Sequence, residues 1–161
     1  MKNKMTEKLF ELAYTDSMTE VQNRNAYEER LKKLRKPNAN ISRITVIVVD
    51  VNGLKEINDS YGHFSGDDAI KTVAKALRDT IGLKGDIYRI GGDEFVCISE
   101  SNVLPYISQF KDTVSFIDRE KLYKLAVSLG YSKYHEKYTK SIDDIICRAD
   151  EKMYKAKKDK K

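Results

Sequence analysis

The stretch Ile44-Thr-Val-Ile-Val-Val-Asp-Val51 decides the fold. Most of its residues are β-branched, which crowds a helix and suits a pleated strand. A strand with one wet face alternates apolar with polar residues, and this one barely does, so it is expected to be central and covered on both faces. Asp50 stands at its carboxyl end.

Downstream, residues 52–67 read as a polar loop. Ile70, Val73, Ala74 and Leu77 then recur at helical spacing, predicting an amphipathic helix over about 66–80. Ile87–Ile90 and Phe95–Ser99 are short strand-like runs separated by Gly91-Gly92-Asp93-Glu94, a composition suited to a tight hairpin with Asp93 near its tip. Val103, Leu104, Ile107, Phe110, Val114 and Ile117 mark a further helix, and Leu125, Val127, Leu129 and Tyr131 alternate as in a strand. Ser141 with Asp144 forms a capping box for a last helix with a buried stripe of Ile142, Ile145, Ile146, Ala149, Met153 and Ala156. Upstream, Thr19 with Gln22 and Asn25 with Glu28 are capping signals before a helix over about 26–35, and Leu9, Phe10, Leu12 and Ala13 suggest the end of a helix entering from the amino side. Hairpin pairing among interspersed helices predicts an α+β sandwich, with helices around a mainly antiparallel central sheet.

The length of 161 residues suits one domain with its own core. No apolar run approaches a membrane span and no signal-peptide core is present, so the expected location is cytoplasmic, without membrane contact by this chain. The net charge is +5, but residues 152–161 hold six lysines and one aspartate, and the other 151 residues carry 24 charges of each sign. That distribution is a basic tail on a neutral body, which argues against nucleic-acid binding. Cys97 and Cys147 have no metal-ligand spacing, and both are expected to be buried thiols.

Asp50 at a strand end and Asp93 on a glycine hairpin can meet at one sheet edge. Together with Glu94 they suit magnesium, which takes one or two carboxylates and completes its shell with water and phosphate oxygens. Between them runs Asn52-Gly-Leu-Lys-Glu-Ile-Asn-Asp-Ser-Tyr-Gly-His-Phe-Ser-Gly-Asp67, in which Lys55 can neutralise phosphate and Asn58 and Asp67 can bond a base edge. Taken singly, each feature is explained as well by an ordinary turn, strand cap or helix first-turn acid.

Six blocks in order change that balance. They are Asp16-Ser-Met-Thr-Glu-Val-Gln-Asn-Arg24; Asp50-Val-Asn-Gly-Leu-Lys-Glu-Ile-Asn-Asp59; Tyr61-Gly-His63 with Gly66-Asp67; Arg89-Ile-Gly-Gly-Asp-Glu-Phe95; Ser128-Leu-Gly130; and Ala149-Asp150 with Met153-Tyr-Lys-Ala-Lys157. From Asp16 to Lys161 the chain resembles the GGDEF family of diguanylate cyclases. The resemblance implies a nucleotidyl-cyclase, palm-like (ferredoxin-like) fold over residues 16–161, with residues 1–15 as the end of a linking helix.

The resemblance also implies condensation of two GTP molecules into cyclic di-GMP and two pyrophosphates, with one GTP on each domain of a facing homodimer below a sensory or dimerising region. It implies that Asp50, the Val51 carbonyl and Asp93 bind magnesium, with manganese as an alternative. Asp93 would accept the proton, with Glu94 and Lys55 beside it in the catalytic set. Lys55 and Lys157 would hold phosphates, Asn58 and Asp67 would recognise guanine, and His63 would shape that pocket. Arg89, grouped with the substrate residues, would orient the hairpin.

The chain departs from the family pattern at Glu20 and Val21 in the opening turn, at Asn52 and Gly53 in the phosphate loop, and at Lys160 and Lys161, where Gly-Arg is usual. Many relatives carry an Arg-x-x-Asp product-inhibition site, and glycines, Gly82 and Gly85, occupy both positions here. The competing reading is a non-catalytic GTP-binding module that signals by contact.

Overall fold

The computed structural model describes residues 2–159; the expectation for Lys160 and Lys161 lies outside the described residues. The elements in chain order are α1 (Lys2–Tyr14), α2 (Arg24–Leu34), β1 (Thr45–Val51), α3 (Leu54–Tyr61), α4 (His63–Asp79), β2 (Asp86–Arg89), β3 (Glu94–Ser99), α5 (Leu104–Asp118), β4 (Val127–Lys133) and α6 (Ile142–Lys158), with a 3-10 turn at Ile81–Leu83. The sheet order is β2-β3-β1-β4 and every pairing is antiparallel.

β1 is central, and all seven of its residues are buried. Alternation divides them between two cores. Ile47, Val49 and Val51 face α4 and α5 with Phe95 and Cys97 of β3, while Val46 and Val48 face α2 and α6 with Val96 and Ile98. Each fully buried aliphatic side chain contributes roughly 1.5–3 kcal/mol, so slipping β1 by one residue would exchange both sets and cost both cores. The same parity turns Asp50, the last even-numbered position of β1, and its partner Glu94, the first residue of β3, toward the side of α2 and α6.

Several local expectations are corrected. α2 is capped by Asn23, whose side chain accepts from the Ala26 amide, and not by Asn25. Thr19 caps no helix: its amide and hydroxyl both donate to Asp16, closing the opening turn. That turn joins the sheet, because the Gln22 amide donates to the Ile87 carbonyl and the Arg89 amide donates to the Gln22 carbonyl. The polar segment after β1 contains a short helix, α3, and α4 begins at His63, three residues before the expected start. β4 begins at Val127, two residues later than the alternation suggested. At the last helix, Asp144 accepts from the Lys140 and Ser141 amides, as the capping signal predicted. Cys97 is buried, but Cys147 lies on the exposed side of α6.

Candidate active site

Asp50 and Glu94 are register partners across β1 and β3, so the strand end and the hairpin deliver two carboxylates to one edge. The Val51 amide donates to the Asp93 carbonyl at 2.9 Å, fastening the hairpin to the end of β1. From α6, Lys157 Nζ approaches both Asp50 oxygens, at 2.9 Å from Oδ1 and 3.0 Å from Oδ2, with hydrogen-bond geometry to Oδ2 alone. Asp50 is only 6% exposed, and its Oδ1 is buried without a hydrogen-bond partner.

This edge is short of positive charge. Burial raises the Asp50 pKa and the Asp93 charge adds to it, outweighing the Lys157 contact. Burial also raises Glu94, followed by repulsion from Asp150, Asp50 and Asp93. Lys157 is raised by its bond to Asp50 and by the neighbouring acids. Acids whose pKa is raised by burial and by one another, one carrying a buried oxygen that contacts Lys157 without a hydrogen bond, fit a cation. Among the described residues no three His, Cys, Asp or Glu side chains converge as a closed metal cage would need. An ion held here would need further ligands from outside the protein.

Arg89 fixes the hairpin from behind. One terminal nitrogen donates to both Asp16 oxygens, at 3.1 and 3.4 Å, and the other donates to the Gly92 carbonyl at 2.8 Å. Both terminal nitrogens are thus engaged by protein, one on the opening turn and one on the hairpin. Sequence pattern alone did not pair Asp16 with Arg89, because no periodicity links positions 73 residues apart.

Asn58 on α3 and Asp67 on α4 are half-buried, and Lys55 and His63 are exposed. The packing of α3 on α4 explains Gly66: a Cβ there would lie 1.9 Å from Asn58 Oδ1, so glycine makes room for the Asn58 amide. Gly53 precedes α3 at φ 66°, a left-handed conformation that glycine adopts without penalty. The Asn52 Oδ1 accepts from the hydroxyl of Ser128, the residue of β4 that pairs with Asp50, at 2.9 Å. Glu20 adopts φ 61°, the only non-glycine residue with positive φ among those described, and its carboxylate pairs with Arg78 at 2.7 Å. Of the two glycines noted at the Arg-x-x-Asp positions, Gly85 lies against β3, where a Cβ would come 2.8 Å from the Ile98 carbonyl oxygen.

A family model described as "Diguanylate cyclase, GGDEF domain" matches residues 13–161. The chain belongs to the GGDEF family. It is similar to the probable diguanylate cyclase DgcI of Escherichia coli K12, with 32% identity over 93% of this chain and 32% of that protein. It is also similar to a diguanylate cyclase of Vibrio cholerae, with 32% identity over 96% of this chain and 50% of the relative. This GGDEF domain thus spans between a third and a half of those relatives. Among solved structures, the coiled coil and GGDEF domain of DgcB from Caulobacter crescentus, in complex with c-di-GMP, superposes with a TM-score of 0.80 at 22% identity, covering 98% of this chain and 87% of that one. At that identity the likeness establishes the fold. No helix among the described residues is long and apolar enough to cross a membrane.

Proposed function

We propose that this GGDEF domain condenses two GTP molecules into cyclic di-GMP, releasing two pyrophosphates, as one half of a homodimer in which each domain carries one GTP. The observation that carries the reading is the Asp50–Glu94 pair beside Asp93 at the sheet edge, with a buried Asp50 oxygen that accepts no hydrogen bond. Asp50, the Val51 carbonyl and Asp93 would hold magnesium or manganese, which supplies charge neutralisation on the triphosphate when bound.

The chain's own residues then bind, orient and move one proton. Asn58 and Asp67 bond the guanine edge, in a pocket shaped by His63 between α3 and α4. Lys55, at the start of α3, and Lys157, on α6, flank the phosphates and balance charge that builds as the α-phosphorus is attacked. Asp93 takes the proton of the 3′-hydroxyl, with Glu94 alongside, and Arg89 keeps the hairpin aimed. Each 3′-hydroxyl attacks the α-phosphate carried by the other domain, so a lone domain holds half a site. Within residues 1–15, α1 acts as the end of a linking helix, and its exposed Leu9 and Leu12 support a coupling to further helix upstream. Incubation with GTP and magnesium, followed by chromatographic resolution of the nucleotides, tests the reading. Cyclic di-GMP and pyrophosphate are expected in a one-to-two ratio; unchanged GTP at all protein concentrations, with and without a parallel coiled coil fused before Met1, would sink it.

A further inference from the structure

Gly130 of β4 lies flat against α6. A Cβ there would stand 2.2 Å from both the Ala149 carbonyl oxygen and the Met153 amide nitrogen, and 2.8 Å from the Lys152 carbonyl carbon. These obstacles are helix backbone, which has no rotamer to turn aside, so any side chain at 130 must lift the helix. Backbone conformation does not explain the glycine, since the positive-φ glycines among the described residues are Gly53 and Gly62. Strand stability does not explain it either, because a glycine inside a ladder weakens a strand. Close approach of another backbone remains as the physical reason.

What the approach delivers is Lys157. Gly130 pairs with Val48 of β1, and Asp50 is two residues farther along on the same face. On α6, Met153 sits over Gly130 and Lys157 follows four residues later. Four helical residues advance about 6 Å and two strand residues about 6.6 Å, so the helix carries Lys157 in step with Asp50. Their contact at 3.0 Å therefore depends on how near α6 lies to the sheet.

We propose that Gly130 is a positioning residue for the active site, holding α6 at the height that places the Lys157 ammonium over Asp50. On the function proposed above, that height also places it over the triphosphate. Two measurements on Gly130→Ala test this. A crystal structure of the nucleotide-free variant is expected to show α6 lifted and the Lys157–Asp50 contact broken; an unchanged contact would overturn the proposal whatever the enzyme does. The second measurement is calorimetric binding of 3′-deoxy-GTP with magnesium, and of guanosine as a ligand without phosphates. Losing one charge-assisted contact predicts roughly tenfold weaker 3′-deoxy-GTP binding for Gly130→Ala, with guanosine affinity unchanged. If Gly130 acts through Lys157, the double variant with Lys157→Ala binds no more weakly than Lys157→Ala alone. Fully additive losses would show that Gly130 acts by another route. Should Lys157→Ala by itself leave 3′-deoxy-GTP binding intact, the phosphate role of Lys157 fails, and the crystal structure still decides the role of Gly130. If Gly130→Ala does not fold, Ala149→Val overpacks the same helix–sheet contact from the other side and is expected to give a smaller loss in the same direction. No loss in that variant would count against the proposal.

Discussion

The acid edge and the pocket proposed for guanine, between α3 and α4, are held together differently. The acid edge is tied by bonds that persist without ligand: Val51 to the Asp93 carbonyl, Arg89 to Asp16 and to the Gly92 carbonyl, and Lys157 to Asp50. The pocket rests on two short elements, α3 and the start of α4, around Gly62 at φ 85°, and its polar groups face outward. Phe64 beside it is 87% exposed. Damage at the edge should therefore spread through the fold, whereas damage in the pocket should stay local to substrate binding.

The largest effect expected is Asp93→Asn. It keeps the backbone carbonyl that accepts from Val51 and removes one charge from the proposed metal-binding edge, so activity should fall more than about a hundredfold with an unchanged thermal midpoint. Parallel cyclase assays and thermal denaturation check this. A large drop in midpoint would mean that the Asp93 side chain is itself one of the ties.

Asp16→Asn probes the anchor behind the hairpin. Burial raises the Asp16 pKa, but the hydrogen bonds from Thr19 and Arg89 outweigh it and leave the carboxyl below the usual range. A carboxyl with a lowered folded-state pKa stabilises the fold fully above its unfolded pKa and loses that contribution as pH falls through the folded value. Asp16→Asn should thus cost about 1.5–2 kcal/mol near neutral pH, and the gap from the parent should close in strong acid. Urea unfolding across that range measures it; a gap independent of pH would mean that the carboxylate charge is not what holds the hairpin.

Gly66→Ala sharpens the pocket side. The group its methyl would meet is the far end of the Asn58 side chain, so Asn58 should move and α4 should stay. GTP affinity is expected to fall by about 1 kcal/mol, the worth of a neutral hydrogen bond, with urea stability nearly unchanged. If stability falls as far as affinity, the pocket is not the independent unit described here.

The smallest effect expected is a gain. Glu20 stands in a left-handed conformation costing a non-glycine residue about 1–2 kcal/mol, offset in part by an exposed pair with Arg78 worth at most about 1 kcal/mol. Glu20→Gly should therefore raise stability by about 0.5–1 kcal/mol without changing activity. A loss would mean that the Arg78 contact, which also reaches the Thr19 carbonyl, does more to hold the opening turn than its exposure suggests.

The sequence made the sheet legible because β1 is apolar on both faces and the glycine hairpin has a strong composition signal. It also placed Asp50 and Asp93 at one edge. It did not show α3, whose inward contact is carried mainly by Ile57, too little to generate a periodicity. Nor did it show Asp16 meeting Arg89, or Lys157 lying on Asp50, because a bond across 73 or 107 residues is set by topology and leaves no local trace. Cys147 was misplaced for a related reason: the helical stripe that buries Ile145 and Ala149 turns the position between them outward. The pairing of Asp50 with Glu94 follows from strand parity, but only once the register is known.

Gly85 has a consequence for control. A carboxylate at this position would have to grow from a carbon pressed against the β3 backbone, so building the Arg-x-x-Asp site here takes a shifted strand as well as two new side chains. On the function proposed above, a domain without that brake would keep running as its product accumulates, and its output would be governed by how often two copies meet and how much GTP is at hand.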